Sequence, residues 1–307
     1  MNSAGRACPL HYRYGAAAIA QAPQRAAETL YVIGGLYGNL PALDAIETMA
    51  AAERQPLTLC FNGDFNWFNV DEASFREINE RVLRHHATLG NVEAELRADS
   101  AAAGCGCAYP DEIAADFVER SNRIHARLKD TAMQHPDLLV QLAGLPMFAR
   151  YRIGTVNVGV VHGDAESLAG WRFDTALPHE ITQGDWLHNA FEQAAVDVFA
   201  STHTCLPALR HFTSPHDKIV INNGAAGMPD FAGTRYGLLT RISRHPSPHP
   251  ALYGVTLRDV HIDALPIHYD SAQWLEQFLA NWPENSPAWR SYFARISKGV
   301  GLPLPIQ

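Results

Sequence analysis

The stretch 57–69, Leu-Thr-Leu-Cys-Phe-Asn-Gly-Asp-Phe-Asn-Trp-Phe-Asn, constrains the fold more than any other part of the chain. Its first five residues are apolar or small, and they run directly into Asn62-Gly63-Asp64. A short apolar run that stops at a turn reads as a buried strand. Gly63 opens backbone conformations closed to other residues, so the chain can turn sharply and deliver Asp64 at the strand's carboxyl end. In open α/β sheets, ligands and metals bind at that edge. Taken alone, Gly-Asp is a common turn in which Asp caps the backbone. Its weight comes from what accompanies it elsewhere.

Upstream, Thr29–Ile33 predicts a strand, 34–40 a loop, and Ala42–Glu53 a helix with Pro41 in its first turn. The loop carries neither a dinucleotide fingerprint nor the lysine of a phosphate-cradling loop. Downstream, Asp71–Leu83 reads as a helix with Phe75, Ile78 and Val82 on one face. Ala87–Leu89 is a short strand leading into Gly90-Asn91-Val92-Glu93. Strand, helix, strand, helix, strand is the signature of a layered α/β fold.

Residues 96–147 break that rhythm and read as an insertion over one rim of the sheet. It holds a tight loop, Gly104-Cys105-Gly106-Cys107, read as solvent-facing, and an amphipathic helix over Asp111–Leu128. The alternative is that the insertion folds over the strand ends and brings the Cys105 and Cys107 thiols there as ligands or a redox pair. The strand Val156–Val161 then ends in His162-Gly163-Asp164. A Trp- and His-bearing segment follows, with a helix over Trp186–Ala195. Val196–Ala200 is a strand ending in Ser201-Thr202-His203-Thr204-Cys205, and Lys218–Ile221 leads into the Gly-rich turn 222–229. Strands near Tyr236–Ile242 and Leu252–Leu257 close the sheet region, and helices over Ser271–Ala280 and Pro287–Ile296 form a tail. With no internal repeat, the expected organisation is one domain over 29–266, an N-terminal extension over 1–28 and a helical C-terminal extension over 267–307.

The net charge of -8 argues against a broad electrostatic footprint on nucleic acid or anionic lipid. No apolar run approaches the ~18 residues that span a membrane. Arg6 and Arg13 precede Ala16–Ala20, a run too short and too alanine-rich for a signal peptide. The five cysteines are scattered and odd in number, unlike a disulfide framework. A cytoplasmic location is the expectation.

Four strands thus end in a group able to ligate: Asp64, Asn91, His162 and His203. One carboxylate, one amide oxygen and two imidazoles make a mixed oxygen and nitrogen site suited to Zn, Mn or Fe. For any one of them a hydrogen-bonded turn is the commoner role; the set of four points to a metal.

The blocks Gly38-Asn39-Leu40, Gly63-Asp64, Gly90-Asn91-Val92-Glu93, His162-Gly163, Thr202-His203-Thr204-Cys205 and Asn223-Gly224, with Pro207 after the fifth, come in a definite order. That order resembles the calcineurin-like metallophosphoesterases, in particular their compact prokaryotic branch, from about Tyr31 to Ile242. The resemblance implies an α/β fold of two mixed β-sheets sandwiched and flanked by helices. It also implies a two-metal site, and here this chain departs from the pattern. Gly35 and Tyr37 stand where the family has Asp and His, Val92 where it has a catalytic His, and Cys205 where it has a final His. By that analogy one metal loses three of its four ligands and keeps only Asp64. The other keeps Asp64, Asn91, His162 and His203.

Two-metal phosphoesterases clamp the attacking and leaving oxygens together. One ion can still acidify a water and polarise a phosphoryl oxygen, so one ion (Mn, Fe or Zn) is expected rather than two. Val92 cannot protonate a leaving group, a role worth ~10²–10⁴-fold. Tyr37 and Cys205 could ligate a metal; as fillers, Tyr37 would occupy the space of the lost ion and Cys205 would be a small buried hydrophobe. Glu93, Asp164 and Trp171 are expected beside the site, Phe65, Trp67 and Phe68 in core or pocket wall, and His85 and His86 on the surface. The expectation leans to a divergent metal-dependent phosphoesterase-type hydrolase acting on a small phosphorylated substrate, with a homo-oligomer open. The alternative is a catalytically degenerate member of the fold that binds a ligand or partner.

Overall fold

The computed structural model describes residues 4–97, 103–213, 217–299 and residue 302, and builds them into two six-stranded mixed sheets packed face to face. In chain order the elements begin with α1 (Ala16–Gln21), β1 (Gln24–Ala26), β2 (Thr29–Ile33), α2 (Leu40–Ala51), β3 (Leu57–Asn62) and α3 (Glu72–Val82). They continue with β4 (His86–Thr88), α4 (Asn91–Ala94), α5 (Ala115–Ala132), α6 (Pro136–Ala143), β5 (Phe148–Ile153) and β6 (Val156–Val161). Then come α7 (Trp186–Ala194), β7 (Val198–Ser201), β8 (Pro207–Phe212) and β9 (Lys218–Asn223). The last are β10 (Gly237–Ser243), β11 (Tyr253–Leu257), β12 (Val260–Ile267), α8 (Ser271–Asn281) and α9 (Pro287–Lys298).

One sheet runs β11-β12-β10-β2-β3-β4, the other β1-β5-β6-β7-β9-β8. The strands that end in the candidate ligands are parallel neighbours: β3 beside β4 in one sheet, β6 beside β7 in the other. Alternation in β2 explains the layering. Leu30 and Val32 point between the sheets, where they join Val158, Val160, Val198 and Ile221. Tyr31 and Ile33 point to the other side, where Ile46 of α2, Phe75 of α3 and Phe278 of α8 cover them. Residues Ile19 of α1 and Phe191 of α7 cover the far face of the second sheet over Val161, Phe199 and Val220. Both sheets are therefore buried on two faces, which is why their central strands read as unbroken apolar runs. Among the described residues no helix is long and apolar enough to cross a membrane.

Several expectations are corrected. β1, β5, β8 and β12 were not read as strands. Arg150 and Arg152 interrupt β5, while Pro207 opens β8 at the sheet's edge, a position where its missing N–H is tolerated. Pro266 lies in β12 beyond Ala264, where pairing with β11 ends. The helix expected over Asp111–Leu128 runs from Ala115 to Ala132, four residues later at each end, because nothing breaks it before Met133. The loop at Cys105 and Cys107 does not face solvent: both cysteines are buried.

Candidate metal centre

Asp64, Asn91, His162 and His203 leave β3, β4, β6 and β7 at their carboxyl ends and meet in the cleft between the two sheets. Asn62 stitches that cleft, donating to the Val161 carbonyl at 2.7 Å and accepting from the Thr88 hydroxyl at 3.0 Å. Gly63 has φ +74°, and a Cβ there would collide with the Gly90 backbone and crowd His162 Nδ1 at 2.8 Å. Only glycine lets the three loops close this tightly.

The far end of each imidazole is committed to a carbonyl, which can only accept. His162 Nδ1 donates to the Asn62 carbonyl at 2.9 Å, and His203 Nε2 donates to the Cys107 carbonyl at 3.0 Å. A neutral imidazole has one N–H, so these bonds fix the tautomers and leave His162 Nε2 and His203 Nδ1 as lone pairs. The Asn91 amide is oriented likewise, its Nδ2 donating to the Cys105 carbonyl at 2.9 Å and its Oδ1 facing the cleft. Asp64 accepts the Val92 amide on Oδ1 at 3.2 Å and turns Oδ2 inward.

Four lone-pair atoms therefore converge with no proton among them. His162 Nε2 lies 3.2 Å from Asn91 Oδ1, 3.2 Å from His203 Nδ1 and 3.4 Å from Asp64 Oδ2. Ligand atoms around an ion with bonds of ~2.0–2.1 Å are spaced roughly 3.0–3.4 Å apart. Without a cation the cluster is repulsive, and its members shift one another's protonation. Burial disfavours charge on His162, yet Asp64 overrides it and lifts the imidazole above its usual value. Burial and then the His162 charge press His203 down to about 3. Asp64 is held below the usual carboxylate range by His162, against the effect of burial. A proton on one ring is a poor substitute for a metal facing all four atoms. The residues fit an ion.

No protein-family model matches the chain, and no curated protein matches its sequence. Solved structures do match. A metallophosphoesterase from Sphaerobacter thermophilus is similar over 89% of this chain and 100% of its own, at 18% identity and a TM-score of 0.56. A hypothetical protein from Pyrococcus horikoshii OT3 is similar over 89% and 99%, at 16% identity and a TM-score of 0.52. The chain has the calcineurin-like metallophosphoesterase fold.

Beside the lone-pair cluster, Tyr37, Cys205 and Arg295 pack together. Gly35, at φ +66°, lies under the Tyr37 ring, and a Cβ there would come within 2.8 Å of Tyr37 Cζ. Tyr37 Oη reaches Cys205 Sγ at 2.7 Å. Arg295 of α9 donates to the Cys205 carbonyl at 2.7 Å and to Asp230 at 2.6 Å, holding a positive charge beside the pair. Burial raises the Cys205 thiol to about 11, with Arg295 opposing, and drives the Tyr37 hydroxyl well above its usual value. Neither is poised as an anionic ligand. Among the described residues, the metal-capable group that meets within 4.8 Å holds Asp64, His162 and His203 and leaves Cys205 out. Tyr37, Asp64 and Cys205 all have φ between 54° and 57°, a left-handed conformation costly for such residues, and all three line one cavity.

That cavity measures about 40 Å³ and is walled also by Trp67, Tyr109, Trp171 and Tyr292. Trp171 lies edge-on to His203 at 5.0 Å and donates Nε1 to the Cys107 carbonyl at 2.9 Å. Glu93 does not face the cavity. Its carboxylate takes the amides of Asp64 at 2.8 Å, Asn66 at 3.2 Å and Gly90 at 3.3 Å, tying the Asp64 loop to the Asn91 loop. Asp164 turns to its own loop, accepting the amides of Glu166 and Ser167. Phe65 and Phe68 are core, whereas Trp67 reaches the cavity wall. His85 and His86 are exposed. Sequence reading missed the carbonyls of Cys105 and Cys107, which orient Asn91 and His203. No local pattern marks a backbone atom for such a role.

Proposed function

We propose that the chain is a divergent metal-dependent phosphoester hydrolase holding one Mn, Fe or Zn ion on Asp64, Asn91, His162 and His203. The convergence of four lone pairs, each fixed from behind by a hydrogen bond, carries this reading. When bound, the ion would acidify a water and polarise a phosphoryl oxygen. The chain's own residues do the rest. Asp64, Asn91 and the two imidazoles would hold the ion, and the Cys107 carbonyl keeps His203 in the tautomer that leaves Nδ1 free to ligate. Val92 offers no proton to a leaving oxygen. Tyr37 keeps its proton because burial raises it, and its hydroxyl lies on the wall of the same cavity. It faces the site as a neutral hydroxyl, too weak an acid to protonate a leaving group efficiently.

The small size of that cavity favours a second reading, a ligand- or partner-binding module built on a metal-stabilised fold. One experiment separates the two. Protein purified without added metal or chelator is assayed for metal content and for p-nitrophenyl phosphate hydrolysis, beside His162→Ala. One equivalent of metal, with both metal and turnover lost in the variant, supports the hydrolase. Metal without turnover supports the binding module. No metal after incubation with Mn, Fe and Zn overturns the site itself.

A further inference from the structure

Trp171 is a wall shared by two cavities. On one side is the cavity of about 40 Å³ at the candidate metal centre. On the other is a cavity of about 490 Å³ lined by Trp171, Arg172, Leu177, Pro178, Trp186 and Leu187. The first has room for an ion and a water or two, but not for an ester. The second falls in the range of small-molecule pockets. It is apolar and aromatic with a few polar groups at its margin, the usual composition of such pockets.

We propose that this second cavity binds the organic portion of the substrate, and that this portion is a flat, uncharged aromatic ring such as an aryl group or nucleobase. The proposal rests on the phosphoester reading of the metal centre, because it assigns the body of the ester whose phosphoryl group that centre would take. Two indoles on the wall offer faces on which a ring can stack. Arg172 already lies 4.5 Å from the Trp186 ring centre, where its charge is partly satisfied by that face. Two carboxylates also line the cavity, Asp174 and Asp185. Their oxygens accept backbone amides, from Ala176 for Asp174 and from Thr182 and His188 for Asp185. Two anions against one cation disfavour a second phosphate here and favour a neutral ring. The buried Trp186 indole N–H has no acceptor among the described residues, which leaves one donor beside the cavity for an acceptor on the ligand. Trp171, edge-on to His203 at 5.0 Å, is the residue that lines both cavities.

Calorimetry on the full chain, metal-loaded and metal-free, with p-nitrophenyl phosphate, inorganic phosphate and p-nitrophenol tests this, the affinity of loaded protein for the aryl ester being read as KM wherever the ester is turned over. Ala176 lines the cavity and is exposed, so Ala176→Trp narrows it without touching the core. The wild type should bind p-nitrophenyl phosphate at least about tenfold more tightly than inorganic phosphate, and Ala176→Trp should abolish the difference while leaving inorganic phosphate unchanged. Trp186→Phe, which keeps a ring but removes the N–H, should weaken the aryl ester about three- to tenfold. Equal affinities for the two phosphates, or an Ala176→Trp variant that binds the aryl ester as the wild type does, overturns the proposal and leaves the metal centre standing. Loss of all phosphate binding on metal removal, with p-nitrophenol still bound and blocked by Ala176→Trp, supports the cavity and the metal centre separately. If inorganic phosphate never binds, the phosphoester reading fails, and p-nitrophenol alone then decides the cavity: no binding sinks it.

Discussion

His162 Nε2 and His203 Nδ1 face each other at 3.2 Å, each ring pinned at its other nitrogen by a backbone carbonyl. Two imidazole lone pairs at that separation repel unless a cation lies between them. Against the effect of burial, Asp64 raises His162 and so favours a proton there when no metal is bound, while burial and then His162 lower His203.

Metal uptake must therefore displace that proton. Because His162 is raised, it is protonated in the metal-free fold at and below its ordinary value near ~6.5 and somewhat above it. Metal affinity should rise with pH through that range by about tenfold per unit, then level once His162 is neutral. Zinc titration by calorimetry in two buffers of different ionisation enthalpy checks it. Release of about one proton per ion near pH 6.5 is the expected outcome, and uptake with no proton released would mean that the cluster is neutral without metal.

The packing of Tyr37 over Gly35 makes a second prediction. Gly35→Asp alone places a Cβ within 2.8 Å of Tyr37 Cζ and a non-glycine residue at φ +66°, so it should cost about 1–3 kcal/mol. Tyr37→His added to it removes the clash and should return part of that cost, a coupling that a double-mutant cycle reads directly. Adding Cys205→His as well should raise bound metal from one equivalent to two. A wild-type protein that already carries two equivalents would show that Tyr37 and Cys205 themselves ligate.

Much of this site could be picked out from sequence because each of its four members ends an apolar strand. Val156–Val161 is legible to the residue, because its four valines run into a turn and Asn157 alone is polar. The same logic failed for β8 and β12, where a proline and polar residues on an edge hide the pattern. It failed most for Cys105 and Cys107. Their loop is rich in glycine and reads as solvated, yet Asn122 accepts the Cys105 amide at 3.0 Å and Trp171 donates to the Cys107 carbonyl at 2.9 Å. Those partners lie 17 and 64 residues away, so burial of the loop is a tertiary fact with no local trace.

Trp171 gives a third prediction. Its indole N–H shares the Cys107 carbonyl with His203, so Trp171→Phe removes one of the two bonds that hold that carbonyl in place. Outlying partners of metal-binding histidines typically matter 10–100-fold, and this one acts a step further out. Zinc affinity should fall about two- to tenfold with the thermal midpoint of the metal-free protein little changed. An unaltered affinity would place the carbonyl's position under the control of its own loop.

Glu93 gives the last. Burial, then the charge of Asp64, push its carboxyl up to about 7 even though backbone amides donate to it. In the unfolded chain the same group titrates near ~4.3. Between those values the fold holds a proton that the unfolded chain has lost, so the stability Glu93 contributes is complete below about pH 4.3 and drains away as pH rises through about 7. Glu93→Gln cannot titrate, so its cost relative to the wild type should be largest near pH 4 and shrink toward pH 8, measured by urea denaturation of metal-free protein at each pH. The window is distinct from that of Asp64, whose lowered value makes its contribution fail only as the solution becomes more acidic than about pH 3.9. A cost that grows toward pH 8 would reverse the sign. The amides of Asp64, Asn66 and Gly90 would then hold Glu93 as a carboxylate, and its role in tying the two loops would depend on that charge.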